Sequence, residues 1–239
     1  MRATSAIFTK QMNDTFKNPT VTMIFILFPV IAFLMTNFLD VDPDLPAFAG
    51  IAMFGSMGIA LMPLGSMPSY ISEDIETRSL RFLVMAGVKP AQYLLGVSAF
   101  ALLLASLSML AFGLIGGLSG DDLLLFLGAS MFALLPAIAL GALLGIVSKN
   151  VQQGMTFGTV FGLVLGMIPM FAMVNESIMN VTNFLFSQQV TNIFMYIVYG
   201  PPTYMDWSLT EAFVIIGANF LVFATLFFAV YKKKGVSLG

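Results

Sequence analysis

The chain has no cysteine and no histidine. Disulfides, thiol nucleophiles and histidine-ligated metals are therefore excluded from its chemistry. Charge is also scarce: 9% of the 239 residues are Asp, Glu, Lys or Arg, against 59% hydrophobic. A soluble domain carries about 25% charged residues. This composition belongs to a polytopic membrane protein. No GxxxxGK[ST] stretch is present, so the chain binds no nucleotide through a P-loop. No apolar run carries a Lys, Arg, Asp or Glu near its middle. Charges at that depth normally mark ion or proton pathways, so an ion-coupled carrier is disfavoured. An intramembrane protease would need a Ser–His pair, paired acids or a metal, and these cannot be assembled here. No enzymatic site, no cofactor or metal in this chain and no nucleic-acid partner are expected.

What the chain does have is long apolar runs, at roughly 20–39, 47–69, 91–118, 123–147, 152–174 and 209–231. A span needs ~20 such residues. With the N-terminus inside, Arg2, Lys10, Lys17, Arg78, Arg81, Lys89, Lys149, Lys232, Lys233 and Lys234 all fall on the cytoplasmic side, and no basic residue falls outside. Positive residues near span ends stay cytoplasmic. The outside carries only acids: Asp40, Asp42, Asp44, Asp121, Asp122, Glu176, Asp206 and Glu211. The pattern predicts one all-α transmembrane domain over 1–239 with six spans, both termini cytoplasmic, in the plasma (inner) membrane. Residues 1–19 are too polar for a cleavable signal peptide.

Between the spans, three segments carry information. Residues 3–17 read as an interfacial amphipathic helix, with Ile7, Phe8, Met12 and Phe16 on one side and Lys10, Asp14 and Lys17 on the other; a polar tail with scattered apolar residues is the plainer alternative. The cytoplasmic loop at 70–92 reads as a capped helix over 71–87, its core at 73–86. Ser72 is a suitable N-cap, Glu73 and Asp74 suit the positive helix end, Asp74 can pair with Arg78, Gly87 is a C′ residue and Pro90 stops the helix. Residues 177–203 are apolar but carry Asn180, Asn183, Gln188, Gln189 and Asn192, too polar for a lipid-facing span. They read as short re-entrant helices at about 178–186 and 190–199, ended by Gly200-Pro201-Pro202. Tyr204 and Trp207 then suit an aromatic belt.

The fifth run holds Gly154, Gly158, Gly162 and Gly166, a stripe without side chains. Such stripes let helix backbones approach closely in lipid. The partner lies within this chain or across a dimer, unless the glycines only add flexibility. Gly113–Gly117 and Gly141–Gly145 repeat the spacing once each. Internal Pro29, Pro63, Pro136 and Pro169 imply kinks.

This arrangement resembles the type-2 ABC exporter permease family (the ABC-2 type membrane subunit). The resemblance covers nearly the whole chain. Its most specific stretch is Ile71-Ser72-Glu73-Asp74-Ile75-Glu76-Thr77-Arg78-Ser79-Leu80-Arg81-Phe82-Leu83, similar to the family's acidic–small–Leu-x-x-Leu segment. Ser148-Lys149-Asn150 resembles the start of its fifth span. The resemblance implies a complex of two permeases, identical or homologous, with two ABC ATP-binding subunits that hold ATP and Mg. It makes 71–87 the coupling helix, with Glu73, Asp74, Glu76, Arg78, Arg81 and Lys149 as ATPase contacts. Spans one and five would approach the second permease, which would give the glycine stripe a partner. Met53, Phe54, Met57, Phe157 and Phe161 are candidate pathway-lining residues, with ordinary core or lipid-facing packing as the alternative. ATP-driven solute export is the expected function. A membrane subunit that docks an ATPase as a sensor or immunity protein, and an uncoupled carrier or channel, are the alternatives.

Overall fold

The computed structural model describes residues 2–17, 19–38, 49–200 and 208–237. The outer acids at 40, 42, 44 and 206, the Pro201-Pro202 stop and the proposed belt residues Tyr204 and Trp207 lie outside the described residues. Every described element is a helix: α1 (Arg2–Lys17), α2 (Pro19–Phe38), α3 (Ala49–Glu76), α4 (Ser79–Met85), α5 (Pro90–Ile115), α6 (Gly120–Val147), α7 (Val151–Ala172), α8 (Glu176–Thr182), α9 (Phe186–Tyr199) and α10 (Leu209–Ser237).

Among the described residues, α2, α5, α6, α7 and α10 are the five helices long and apolar enough to cross a membrane. The sixth expected span, α3, is not among them. Its composition explains why. From Ala52 to Ser72 the helix carries glycine, serine and two prolines, and none of these residues is exposed. α3 is enclosed by α2, α5, α6, α7 and α9. A helix surrounded by protein needs no continuous apolar surface for lipid.

The glycines of α6 and α7 make that enclosure tight. A Cβ at Gly158 would overlap the carbonyl oxygen of Leu64, and one at Gly154 would overlap the Ser72 hydroxyl. Gly162 and Gly166 face Leu61 and Met57, while Gly141 and Gly145 on α6 receive Met67, Pro68 and Ile71. Pro68 has no N–H, so it cannot donate to Leu64, four residues back. The freed carbonyl lies where the Gly158 side chain would begin. The stripe is therefore spent inside the chain, on α3, and is not the contact with a second permease that the resemblance implied.

A second proline is compensated across helices. Pro29 leaves the Phe25 carbonyl without its helical donor. The buried Ser108 hydroxyl of α5 donates to that carbonyl instead. An apolar groove of about 440 Å³ lies beside this bond, lined by Phe25, Pro29, Phe33, Leu104, Leu107 and Ile115 among others.

α8 and α9 replace the segments expected at 178–186 and 190–199, with a turn at 183–185 between them. That turn leaves two carbonyls outside any helix ladder. Gln189 Nε2 donates to the Asn183 carbonyl, and Asn219 Nδ2 of α10 donates to the Phe184 carbonyl at 2.8 Å. Gln188 Nε2 donates to Asn192 Oδ1 at 3.0 Å, completing a local amide network. Of the amide side chains that made this stretch look unlike a span, Gln189 satisfies its backbone directly, and Gln188 and Asn192 bond to neighbouring amides.

Two outcomes follow. Gly158→Ala forces α7 off α3 and costs about 1–3 kcal/mol, read as a lower melting temperature in detergent. Gly128→Ala, where the added methyl meets open space, leaves that temperature unchanged or higher. Ser108→Ala strands the Phe25 carbonyl at a cost of about 1–3 kcal/mol. In a Pro29→Ala background the restored N–H serves the carbonyl and the Ser108→Ala penalty shrinks. Equal penalties in both backgrounds would refute this assignment.

Candidate functional site at the C-terminal end of the central helix

The chain does not begin a new helix at Ser72, as its capping pattern suggested. Ser72 is fully buried inside α3 and its hydroxyl donates to the Pro68 carbonyl at 2.6 Å. α3 continues to Glu76, and the break falls at Thr77-Arg78. Arg78 adopts φ 61°, ψ 11°, and among the described residues no other non-glycine has positive φ. The Thr77 and Ser79 hydroxyls share a hydrogen bond at 2.8 Å across the break. The expected helix over 71–87 is thus the last turns of α3, a left-handed corner and a helix of seven residues.

The acids belong to the first of these parts. Asp74 is 1% exposed. Its Oδ1 accepts from Lys10 Nζ of α1 at 2.5 Å, and its Oδ2 accepts from the Tyr93 hydroxyl of α5 at 2.8 Å. The expected Asp74–Arg78 pair is absent, because Asp74 faces inward and Arg78 leaves the helix axis. Lys10 also approaches Asp14 at 3.5 Å. Burial acts to lower the Lys10 pKa. The hydrogen bond to Asp74 and the charges of Asp74, Asp14 and Glu73 outweigh it, and the ammonium is held above its usual value. Glu73 is half-buried beside this group; burial first, then Asp14, Asp74 and Glu76, raises its carboxyl against the pull of Lys10.

Further side chains bind the same corner together. The Thr15 and Tyr70 hydroxyls share a hydrogen bond at 2.6 Å. Tyr231 of α10 leans on Tyr93 with ring centroids 5.9 Å apart. α1 therefore does not turn Lys10 away, as its polar face suggested. Its buried side is Ile7, Gln11 and Thr15, set against α5, with the Ile7 Cβ close over Gly96. Phe8 meets Phe100 edge-on at 5.6 Å.

Glu76 points to the neighbouring connector. Its Oε2 accepts from the Val151 N–H at 2.8 Å, where the positive end of α7 favours a carboxylate. Asn150 caps the same helix through Gln153 N, and Gln153 Oε1 accepts from Lys149 N. The Lys149 side chain stays exposed beside this junction.

α4 completes the site. Leu80 is buried, and Leu83 and Val84 pack against the core. Arg78 and Arg81 are exposed, with Phe82 at 65% and Met85 at 63% exposure. The helix ends as expected at Gly87, φ 77°, where Gly87 N bonds the Val84 carbonyl and Val88 N the Leu83 carbonyl. Pro90 then opens α5.

The pathway candidates all lie on α3 and α7, which pack against each other. Met57 lies against Gly166, and Met53, Phe54 and Phe157 are half-buried against the core. Phe161 is 44% exposed on the outer face of α7. Sequence reasoning missed Lys10 and Tyr93 as partners of Asp74; no local spacing links residues this far apart.

The Lys10–Asp74 pair has an asymmetric cost. Lys10→Met strands a buried carboxylate, whereas Asp74→Asn leaves a lysine already 42% exposed and able to reach water. Lys10→Met therefore destabilises more than Asp74→Asn, and the double variant less than the sum. Melting curves of the three variants test this; additive losses would refute the pairing.

No curated protein matches the chain. A family model described as "ABC-2 family transporter protein" matches residues 44–231. That span takes in α3 through most of α10, including the corner built on Asp74 and the projecting α4. The chain is a multi-pass membrane protein and belongs to the ABC-2 family of transporter proteins.

Proposed function

We propose that the chain is the membrane-spanning permease subunit of an ATP-driven exporter, coupled through α4 to ATP-binding subunits encoded separately. The observation that carries this reading is α4 itself. It is a short helix at the end of the enclosed helix α3, anchored by Leu80 and presenting Arg81, Phe82 and Met85 outward. ABC-2 membrane proteins generally partner with ABC ATPases, and such an exposed, anchored helix is a suitable contact for one. ATP and Mg would be held by two partner subunits, since the chain has no P-loop sequence.

Six spans with both termini cytoplasmic fit best, with α3 as the second. This topology keeps all ten basic residues inside. A re-entrant path for α8 and α9 is supported by Asn219, which lies ten residues along α10 from Leu209 and holds the Phe184 carbonyl. At ~1.5 Å per residue, that turn sits about 15 Å into the layer. A second permease, identical or homologous, has the outer faces of α2 and α7 available, where Ile26, Phe33, Val160, Phe161, Val164 and Phe171 are exposed.

In this mechanism ATP draws the two partner subunits together and displaces α4. The corner at Lys10, Asp74 and Tyr93 carries the displacement into α1, α3 and α5 together, because one buried carboxylate bonds to both neighbours. Differential binding of the ATP-bound partner to two permease states supplies the bias.

The chain lacks cysteine, so Met85→Cys gives a single label. Cross-linking of that thiol to a copurified P-loop ATPase, with ATP-dependent solute accumulation in inverted vesicles, is the expected result. Solute movement by the purified chain without any ATPase would overturn the reading, as would labelling of Lys232 from outside. ATPase binding with no solute movement would instead identify a docking subunit that does not transport.

A further inference from the structure

The sequence presents Glu73, Asp74, Glu76, Arg78 and Arg81 as one mixed-charge docking set. The structure divides them. Both Asp74 oxygens are engaged, by Lys10 and Tyr93, and the residue is buried. Glu76 receives the N–H that opens α7. Glu73 is half-buried on the side of Lys10. The acids are thus turned to this chain's own helices. Arg78 and Arg81 are exposed, and among the described residues neither has a carboxylate within ion-pair distance.

The apolar residues divide in the same way. Leu80, Leu83 and Val84 are turned to the core, whereas Phe82 and Met85 are exposed. Residues 81, 82 and 85 follow the spacing of one helix face, and Arg78 precedes it at the left-handed corner. Arg81 N and Phe82 N both bond to the Arg78 carbonyl, so Arg78 sits directly at the first turn. Lys89 is exposed just beyond. Arginine beside an aromatic residue and methionine is the composition of an interface core. Arginine also binds carboxylates in bidentate geometry, which lysine cannot match.

The outward face of α4 is therefore cationic and apolar, with no free acid on it. Resting on the permease reading above, we infer that the partner's receiving groove is acidic around an apolar floor, with Arg78 and Arg81 meeting its carboxylates and Phe82 and Met85 filling the floor. An anionic membrane surface would also attract arginine and phenylalanine. Its position disfavours this. α3 runs on to Glu76, seven residues past the apolar stretch that ends near residue 69, before the corner that leads into α4. That is about 10 Å of helix. Lys10 of α1 joins α3 at Asp74, two residues before that helix ends.

The test uses the full chain copurified with its ATPase. R81E, and separately R78E/R81E, should weaken association roughly tenfold or more and abolish ATPase stimulation, with the melting temperature of the free chain unchanged. R81K should recover only part of the loss. Reversing the partner's groove carboxylates to lysine should restore binding of R81E. E73Q should retain wild-type association. Wild-type affinity should fall as salt rises. If F82A/M85A breaks the complex while R81E and R78E/R81E do not, docking through α4 stands and the acidic groove is refuted. If R81E spares the complex but abolishes binding to vesicles containing phosphatidylserine, the face serves the membrane and the inference is overturned. If wild-type chain binds no ATPase at all, the permease reading itself fails.

Discussion

Among the described glycines, the tightest packing sets a carbonyl against a missing side chain. Pro68 removes the hydrogen bond that would normally occupy the Leu64 oxygen, and Gly158 removes the atoms that would block it. Neither substitution is favourable alone. Proline inside a helix costs about 3 kcal/mol, and glycine about 1 kcal/mol. Together they let α7 lie against α3 at backbone distance. Gly141 and Gly145 admit α6 to the same proline-containing stretch. The corner built on Asp74 depends on α3 being held this way. Asp74 can only be buried between α1 and α5 if the helix carrying it is fixed from both sides.

The same requirement recurs wherever the chain departs from a regular helix. A membrane interior offers no water to an unpaired carbonyl. Ser108 therefore serves the Phe25 carbonyl beside Pro29, and Gln189 and Asn219 serve the turn between α8 and α9. Glu76 and Asn150 serve the first N–H groups of α7. Several polar residues of this apolar chain are placed at such breaks, while Ser66, Ser69 and Thr191 bond back within their own helices.

These features differ in how far the sequence reveals them. Helix extents were legible because hydrophobicity is local: the run at 152–174 became α7 at Val151–Ala172, and 20–39 became α2 at Pro19–Phe38. The Gly87 terminus was legible because a positive φ at a helix end has few other solutions. The glycine stripe was legible as a packing face, but its partner was not, since α3 and a second subunit would select the same glycines. Ser72 misled because a serine before two acids also fits the interior of a helix when its hydroxyl bonds back four residues. Asp74 misled more deeply. Its nearest cation in sequence is Arg78, but its actual partner is 64 residues away. Pairings at that distance follow from tertiary packing, which neighbour spacing does not encode.

α3 is 28 residues long, about 42 Å at the usual rise, against a hydrocarbon layer of about 30 Å. It is gripped near its middle by the bare faces of two other helices, and at its outer arm Gly55 meets the rings of Phe112 and Phe194. A rod clamped at its centre resists sliding more than it resists tilting. Any sideways push delivered at Glu76 would therefore emerge as an opposite swing at the Gly55 end, so the two arms of the helix would work as the ends of a seesaw.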